Sequence, residues 1–295
     1  MTRVALVVNP TSGRGQALAA AEVVERRLTA EGWAVDRVQG RDGPDAEQRC
    51  RAAAAAGVDA VLAVGGDGMA HLALQACAGT ETPLGIIPTG TGYDLARALG
   101  LPLGSPAASA DLLVQGRVRA VDAVRTGDVW WACVLGTGVD GAVNDRANRM
   151  RWPRGRRRYD LAVVAELRTY RPGRFVLHLD GVRSEHEAML VALGNAPSYG
   201  GGMRVCPGAV MDDGLLDVVV VGPLSRTRFL RLFPRVFTGR HVTDPSVTVQ
   251  RAREVTLDGP AWATAYADGE RMGTLPLTCT VVQSALRVIG VPEGS

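Results

Sequence analysis

Apolar positions along this chain come in short blocks, and the rhythm of the blocks changes once. Residues 4–8 are apolar throughout, and the run stops at the turn-rich segment 9–15. From 16 to 30 the apolar positions Leu18, Ala21, Val24 and Leu28 recur every three or four residues, the period of a helix with one buried face. Gly32 ends that helix, and 33–38 reads as a second strand. Residues 45–56 form an alanine-rich helix closed by Gly57. The apolar run 60–64 ends at Gly65-Gly66-Asp67-Gly68, with a helix from there to about 78. Residues 84–87 make a fourth strand, then Pro88-Thr89-Gly90-Thr91-Gly92 and a helix from 94 to about 99. Wholly apolar strands alternating with helices predict a parallel, doubly wound α/β domain.

Beyond Val121-Asp122 the alternation ceases. Strand-like blocks follow at 129–134, 174–179, 188–193, 216–221, 247–250, 254–258, 262–267 and 277–282, many of them separated by glycine and proline. They predict an antiparallel sandwich or barrel, interrupted by helices near 156–169 and 225–238. At 295 residues, two domains are expected, 1–122 and 123–283, with about 284–295 packing back onto the first.

Composition narrows the classes. No apolar run approaches the ~20 residues that span a bilayer, and the amino terminus lacks a secretory signal. The five cysteines are odd in number and include no C-x-x-C pair, which favours reduced thiols and a cytoplasmic chain over disulfides or zinc. The chain has no lysine. That excludes a Walker A loop, the protein-kinase fold and Schiff-base or PLP chemistry. A net charge of +3 is too small to argue for nucleic acid as a partner.

Three glycine-bearing loops follow three of the strands, and in a doubly wound sheet they meet at one edge. Their backbone amides, with helix N-termini behind them, make a polyphosphate site that needs no lysine. The candidates are Asn9, Pro10, Ser12 and Gly13 in the first loop, Gly65, Gly66 and Gly68 in the second, and Thr89, Gly90 and Thr91 in the third. The loop after the second strand, 39–43, adds Arg41. Ser12 reads equally as a helix N-cap or a phosphate contact. Asp67 and Asp94 suit a magnesium ion held through water, although Asp94 also suits a helix dipole. Asp268-Gly269-Glu270 offers two more carboxylates, or an ordinary hairpin turn.

The ordered motifs carry a family resemblance. They run Asn9-Pro10-x-Ser12-Gly13-x-Gly15, then Gly65-Gly66-Asp67-Gly68, then Pro88-x-Gly90-Thr91-Gly92-Tyr93-Asp94-x-Ala96-Arg97, then Val121-Asp122. Gly194-Asn195, Gly200-Gly201-Gly202, the stretch Pro207 to Asp217 and Asp268-Gly269-Glu270 complete the series. Over nearly its whole length the chain resembles the diacylglycerol kinase catalytic-domain family of bacterial lipid kinases, relatives of sphingosine and ceramide kinases. The second motif alone is shared with NAD kinases and phosphofructokinases; the ordered set is far more specific.

The resemblance implies an NAD kinase-like nucleotide-binding α/β domain and a β-sandwich acceptor domain. It further implies ATP and Mg²⁺ in the cleft between them, with transfer of the γ-phosphoryl group to a lipid hydroxyl such as that of diacylglycerol. Asp67 becomes the central active-site carboxylate, and Glu270 and Asp268 handle magnesium or the acceptor proton. Asp94 and Asp122 support them, with Asp122 and Gly138 on the acceptor side. Asp213, with the carbonyls of Val210 and Leu215, resembles a structural metal loop; by itself Asp212-Asp213-Gly214 reads as a β-turn. Met69, Leu72 and Tyr93 stand where the family usually has Thr, a carboxylate and Asn. The alternatives are a kinase for a soluble hydroxyl acceptor, NAD kinase-like or a sugar kinase, or a nucleotide- or lipid-binding protein of weakened catalysis.

Arg146, Arg149, Arg151, Arg154, Arg156, Arg157 and Arg158, interleaved with Met150, Trp152 and Tyr159, read as a solvated surface, a contact for anionic lipid headgroups, or a contact for ATP phosphates. Residues 225–238 mix arginine with Phe and Leu at helical spacing, a pattern that favours a core-packing helix over a membrane one. The expected partners are therefore ATP and a lipid, with peripheral contact at the inner face of an anionic membrane; a homodimer is allowed.

Overall fold

The structure is a computed structural model that describes residues 1–9, 15–89, 93–150, 152, 161–163, 165–166 and 170–293. It divides into two compact units, Met1–Ala123 with Val282–Ser295, and Val124–Val281.

In the first unit β1 (Arg3–Val8), β2 (Ala34–Val38), β3 (Ala60–Gly65) and β4 (Leu84–Pro88) run parallel in the order β2-β1-β3-β4. β1 and β3 pair from Val4–Ala60 to Val8–Val64, so Val4, Leu6 and Val8 share a face with Ala60, Leu62 and Val64. That face is covered by Ala17, Ala21, Val24 and Leu28 of α1 (Gln16–Ala30) and by Leu113 of α5 (Pro106–Gln115). The pair α2 (Gly43–Ala55) and α3 (Asp67–Cys77) packs on the same strands, which are thus buried on both sides. Double burial is why β1 and β3 read as unbroken apolar runs, whereas edge strand β2 exposes Asp36 and Arg37. Helix α4 (Asp94–Ala98) follows the third loop.

Helix α5 lacks a clear apolar period, but its ends are marked in the sequence. Ser105 caps it, accepting from Ala108 N at 3.3 Å, Pro106 opens its first turn, and Gly116 closes it at φ 70°. β5 (Val118–Thr126) follows. The last strand, Leu277–Ile289, runs through both units, and its Val288 and Ile289 pair in parallel with Leu84 and Gly85 of β4.

The second unit is a sandwich, not a barrel. β6 (Val129–Trp131) pairs with β5. One antiparallel layer contains β7 (Val134–Gly138), β10 (Leu190–Gly194), β11 (Leu216–Val221), β12 (Val247–Ala252), β14 (Thr264–Ala267) and β15 (Glu270–Thr274), in the order β12-β11-β10-β7-β14-β15. The facing layer is built from β8 (Gly173–Leu179), β9 (Val182–Ala188), β13 (Glu254–Asp258) and the start of β16 (Leu277–Ile289). Leu135, Val191, Leu193, Val218 and Val220 of the first layer meet Phe175, Leu177, Val255 and Leu257 of the second in one core.

Several elements differ from the sequence reading. β9 is an exposed edge carrying Arg183, Glu185 and Glu187, so it has no apolar alternation to read. Helix α6 (Val139–Arg149) is polar apart from Ala142 and the stripe Val139, Val143 and Ala147, spaced four apart, that packs on Met189. The segment 225–238 is not a core helix: α7 (Arg226–Leu232) buries only Leu232, and the 3₁₀ turn Phe233–Thr238 buries nothing. Pro234, lacking an N–H, ends the α pattern there. Of the helix expected near 156–169, residues 161–163 and 165–166 are described and are helical, while most of the arginine cluster lies outside the described residues.

All five cysteines are free and buried, and burial pushes the Cys50 and Cys77 thiols up to about 12 and that of Cys279 to about 11. Thiolate is the reactive form. A thiol reagent such as Ellman's is therefore expected to label no cysteine of the native chain at pH 8 and every one in denaturant; prompt native labelling contradicts this packing.

Candidate functional site

In the first unit the carboxyl ends of the parallel strands share one edge, and helices begin there. Glycine sets the entry to α1: Gly15 sits at φ 90°, and no side chain caps the helix. Helix α3 starts from Gly66, again without a side-chain cap. Among the described residues no side chain takes up the opening amides of either helix, although in α3 the Met69 amide already turns back to Gly66 O at 3.0 Å. Helix α2, at the end of β2, contrasts with them: Asp42 caps it, accepting from Asp45 N at 2.9 Å.

Asp67 opens α3 and reaches across to the third loop. Its carboxylate accepts from Tyr93 N at 3.0 and 3.1 Å and from Asp94 N at 2.8 Å. It thereby caps α4, whose own N-cap position, Tyr93, offers no side-chain bond and sits at φ 140°. A non-glycine residue in that region is strained, and the two amides held by Asp67 fix it there. Asp94 is half-buried one position on. Thr89 N donates to Gly65 O at 3.0 Å, tying the second and third loops. Asn9 is exposed at the end of β1, and Gly68 is exposed beside Asp67. Pro10, Ser12, Gly13, Gly90 and Thr91 lie outside the described residues.

The Arg41 loop is held in the same manner. Asp45 accepts from Arg41 N at 2.9 Å and from the Arg49 and Arg41 side chains, and these bonds hold its carboxyl at about 2. The Arg41 guanidinium itself is 85% exposed at this edge. Asp122 is buried and accepts from Ser284 N at 2.8 Å, so it anchors β16 where that strand enters the first unit.

In the second unit Asp268-Gly269 is a two-residue hairpin turn between β14 and β15, with φ 52° and 85°. The turn is also a clamp. Asp268 accepts from Ala132 N at 2.7 Å, Cys133 N at 2.9 Å and Val134 N at 3.3 Å. Glu270 differs: it is exposed, and among the described residues no hydrogen bond or ion pair engages its carboxylate. Gly138 opens α6 at φ 85°, where a Cβ would lie 2.4 Å from Met189 O, so its glycine serves backbone packing. The Asp213 carboxylate is taken by Leu215 N at 3.0 Å and by the Arg251 guanidinium, which also reaches buried Asp217 at 2.9 Å. A guanidinium thus already offsets the carboxylate charge of that loop.

One carboxylate escaped the sequence reading. Asp140, on the first turn of α6, accepts from Tyr199 Oη at 2.5 Å and from Asn144 Nδ2 at 3.3 Å. Burial raises its carboxyl to about 6, against the two hydrogen bonds. The signal was available: Gly138-Val139-Asp140-Gly141 is a second glycine-flanked carboxylate after an apolar strand.

Comparisons with known proteins bear on the family and the fold. Residues 3–126 match the diacylglycerol kinase catalytic domain, and 133–290 match the YegS C-terminal NAD kinase beta sandwich-like domain. A diacylglycerol kinase of Mycobacterium tuberculosis (strain ATCC 25618 / H37Rv) is 45% identical over 298 residues, covering 99% of this chain and 96% of that one. One of Bacillus subtilis (strain 168) is 26% identical, covering 94% and 92%. The crystal structure of a diacylglycerol kinase from Bacillus anthracis str. Sterne has the same fold, with a TM-score of 0.75 at 22% identity, covering 99% and 97%. The chain belongs to the diacylglycerol kinase family of lipid kinases and is a phosphotransferase with an alcohol group as acceptor. Membership implies ATP use and, as a rule, a divalent metal. No helix among the described residues is long and apolar enough to cross a membrane.

Asp140 gives a pH test. Its proton is held up to about pH 6 in the native state and released near 3.8 in the unfolded chain. The native state therefore loses stability as pH rises from about 4 to about 6, by roughly 1–3 kcal/mol. Asp140→Asn is expected to flatten the melting temperature across that window while keeping the Tyr199 bond; an unchanged pH slope contradicts the assignment.

Proposed function

We propose that the chain transfers the γ-phosphoryl group of ATP to a hydroxyl of a lipid such as diacylglycerol, with the nucleotide on the first unit and the acceptor on the second. The observation that carries the reading is the Asp67 carboxylate, which joins the start of α3 to the Tyr93 and Asp94 amides at the sheet edge where α1 and α3 begin uncapped. Oriented amides in that position suit phosphate oxygens without lysine.

Magnesium takes one or two carboxylates and leaves other positions to phosphates and water. Asp67 and Asp94 are the residues that would hold it. Bound there, the ion would neutralise phosphate charge and spread of charge in the transition state.

Of the three proposed catalytic carboxylates, Asp67 and Asp268 each spend both oxygens on backbone amides. Glu270 has its oxygens free and is the group we assign to the acceptor proton. The acceptor oxygen forms its bond to the γ-phosphorus as the bond to the bridging oxygen breaks. The hydroxyl proton passes to Glu270, and ADP leaves. Asp268 sets the turn that presents Glu270, and Asp67 sets the third loop. Asn9, Arg41, Gly65, Gly66, Gly68 and Thr89 line the phosphate side of this proposal, and Asp122 and Gly138 act through the backbone.

The test is thin-layer chromatography of reactions with γ-labelled ATP and a lipid panel beside sugars and NAD. Label in a lipid is expected. Glu270→Gln is expected to lower kcat about 10²–10⁴-fold with an unchanged melt. Asp67→Asn is expected to lose activity and also to melt lower, because it weakens a backbone clamp. Label only in a soluble acceptor, or Glu270→Gln at normal rate, contradicts the proposal.

A further inference from the structure

The chain has four phenylalanines, and three of them, Phe229, Phe233 and Phe237, lie within nine residues on the surface of the second unit. Only Phe175 is in the sandwich core. The three rings form a continuous ridge: Phe229 stacks on Phe233 at 6.2 Å, and Phe233 meets Phe237 edge-on at 6.1 Å. Phe229 leans on the small cluster around Val139 and Met189, which anchors the ridge to the unit. Within the same segment Leu230 is 56% and Phe237 38% exposed. An exposed row of large apolar side chains of this kind marks an interaction surface.

The charge around the ridge says what it meets. Residues 223–243 hold five arginines and no carboxylate. Arg228 pairs with Asp244 at 2.7 Å. Arg226, Arg231, Arg235 and Arg240 are exposed and pair with no carboxylate among the described residues. Arg204 is exposed beside them, its N–H bonded to Val236 O at 3.0 Å. A core-facing helix would hide the rings, and a merely solvated one would not need them. Apolar side chains rimmed by unpaired guanidiniums suit a bilayer surface carrying anionic phospholipid, where the rings enter the headgroup region and the arginines meet phosphates.

We propose that α7 and the 3₁₀ turn Phe233–Thr238 form the docking surface by which this chain sits on an anionic bilayer, with Leu230 and Phe237 inserted and Arg226, Arg231, Arg235 and Arg240 on the headgroups. The proposal rests on the lipid-kinase reading for the reason a bilayer is the surface to be reached. The surface itself is argued from the ridge and its charge.

The experiment is sedimentation of the full chain with vesicles of phosphatidylcholine alone and of equal parts phosphatidylcholine and phosphatidylglycerol. Binding to the anionic vesicles only, weakened by salt, is expected. Arg231→Gln with Arg235→Gln should weaken it by roughly 5-fold per arginine removed. Leu230→Ser with Phe237→Ser should abolish it while leaving the melt and the phosphorylation of a water-soluble short-chain diacylglycerol unchanged. With the five native cysteines buried, Leu230→Cys accepts a single environment-sensitive fluorophore, whose emission should shift to the blue on anionic vesicles alone. Three results overturn the proposal: no binding to anionic vesicles, binding indifferent to both double variants, or a fluorophore that stays in water while the chain is bound. A label buried without lipid, in proportion to protein concentration, overturns it in favour of a second copy of the chain on this face. Loss of docking with short-chain phosphorylation intact leaves the kinase reading standing, whereas docking without phosphorylation of any lipid removes that reading alone.

Discussion

A carboxylate that accepts two or three backbone N–H bonds fixes the loop that donates them, and this chain relies on that bond repeatedly. Asp67 holds Tyr93 and Asp94, Asp180 holds Arg253 and Glu254, and Asp268 holds residues 132–134. Such bonds are roughly twice as strong as neutral ones, and leaving the amides unpaired costs about 1–3 kcal/mol each when they are buried. Each clamp ties a turn to a neighbouring element distant in sequence.

That division of labour explains why neighbouring carboxylates differ so much. Asp268 and Glu270 stand on one hairpin, yet the first is committed to three amides and the second faces solvent. The turn conformation decides it: positive φ at both turn positions points Asp268 back at β7 and its approach, while Glu270 is already in β15. In the first unit the same logic leaves α1 and α3 uncapped while α4 takes its cap from Asp67. Free amides and one free carboxylate are what phosphoryl transfer asks of a protein.

The fold was largely legible because burial on both faces writes itself into sequence. β1 and β3 are apolar throughout, and the helices after them carry a clear period. Elements that bury little left little trace. β9 is a charged edge, and α6 shows only four apolar positions among polar ones. The segment 225–238 misled for the opposite reason: its phenylalanines look like core residues, yet they contact one another on the surface. At the site, the ordered motifs located the carboxylates. Which of them were free was not legible, because that depends on amides 26 residues away for Asp67 and about 135 away for Asp268. Asp140 was overlooked although its glycine flanks resemble those of Asp67.

The Asp67 clamp is the central claim, and amide hydrogen exchange reads it directly. Asp67 accepts from the Tyr93 and Asp94 amides, so their protection should fall when its carboxylate is removed. In Asp67→Ala their exchange is expected to quicken roughly ten- to a hundredfold, with the amides of β3 unchanged. Equal protection of Tyr93 and Asp94 in the two proteins would contradict the account.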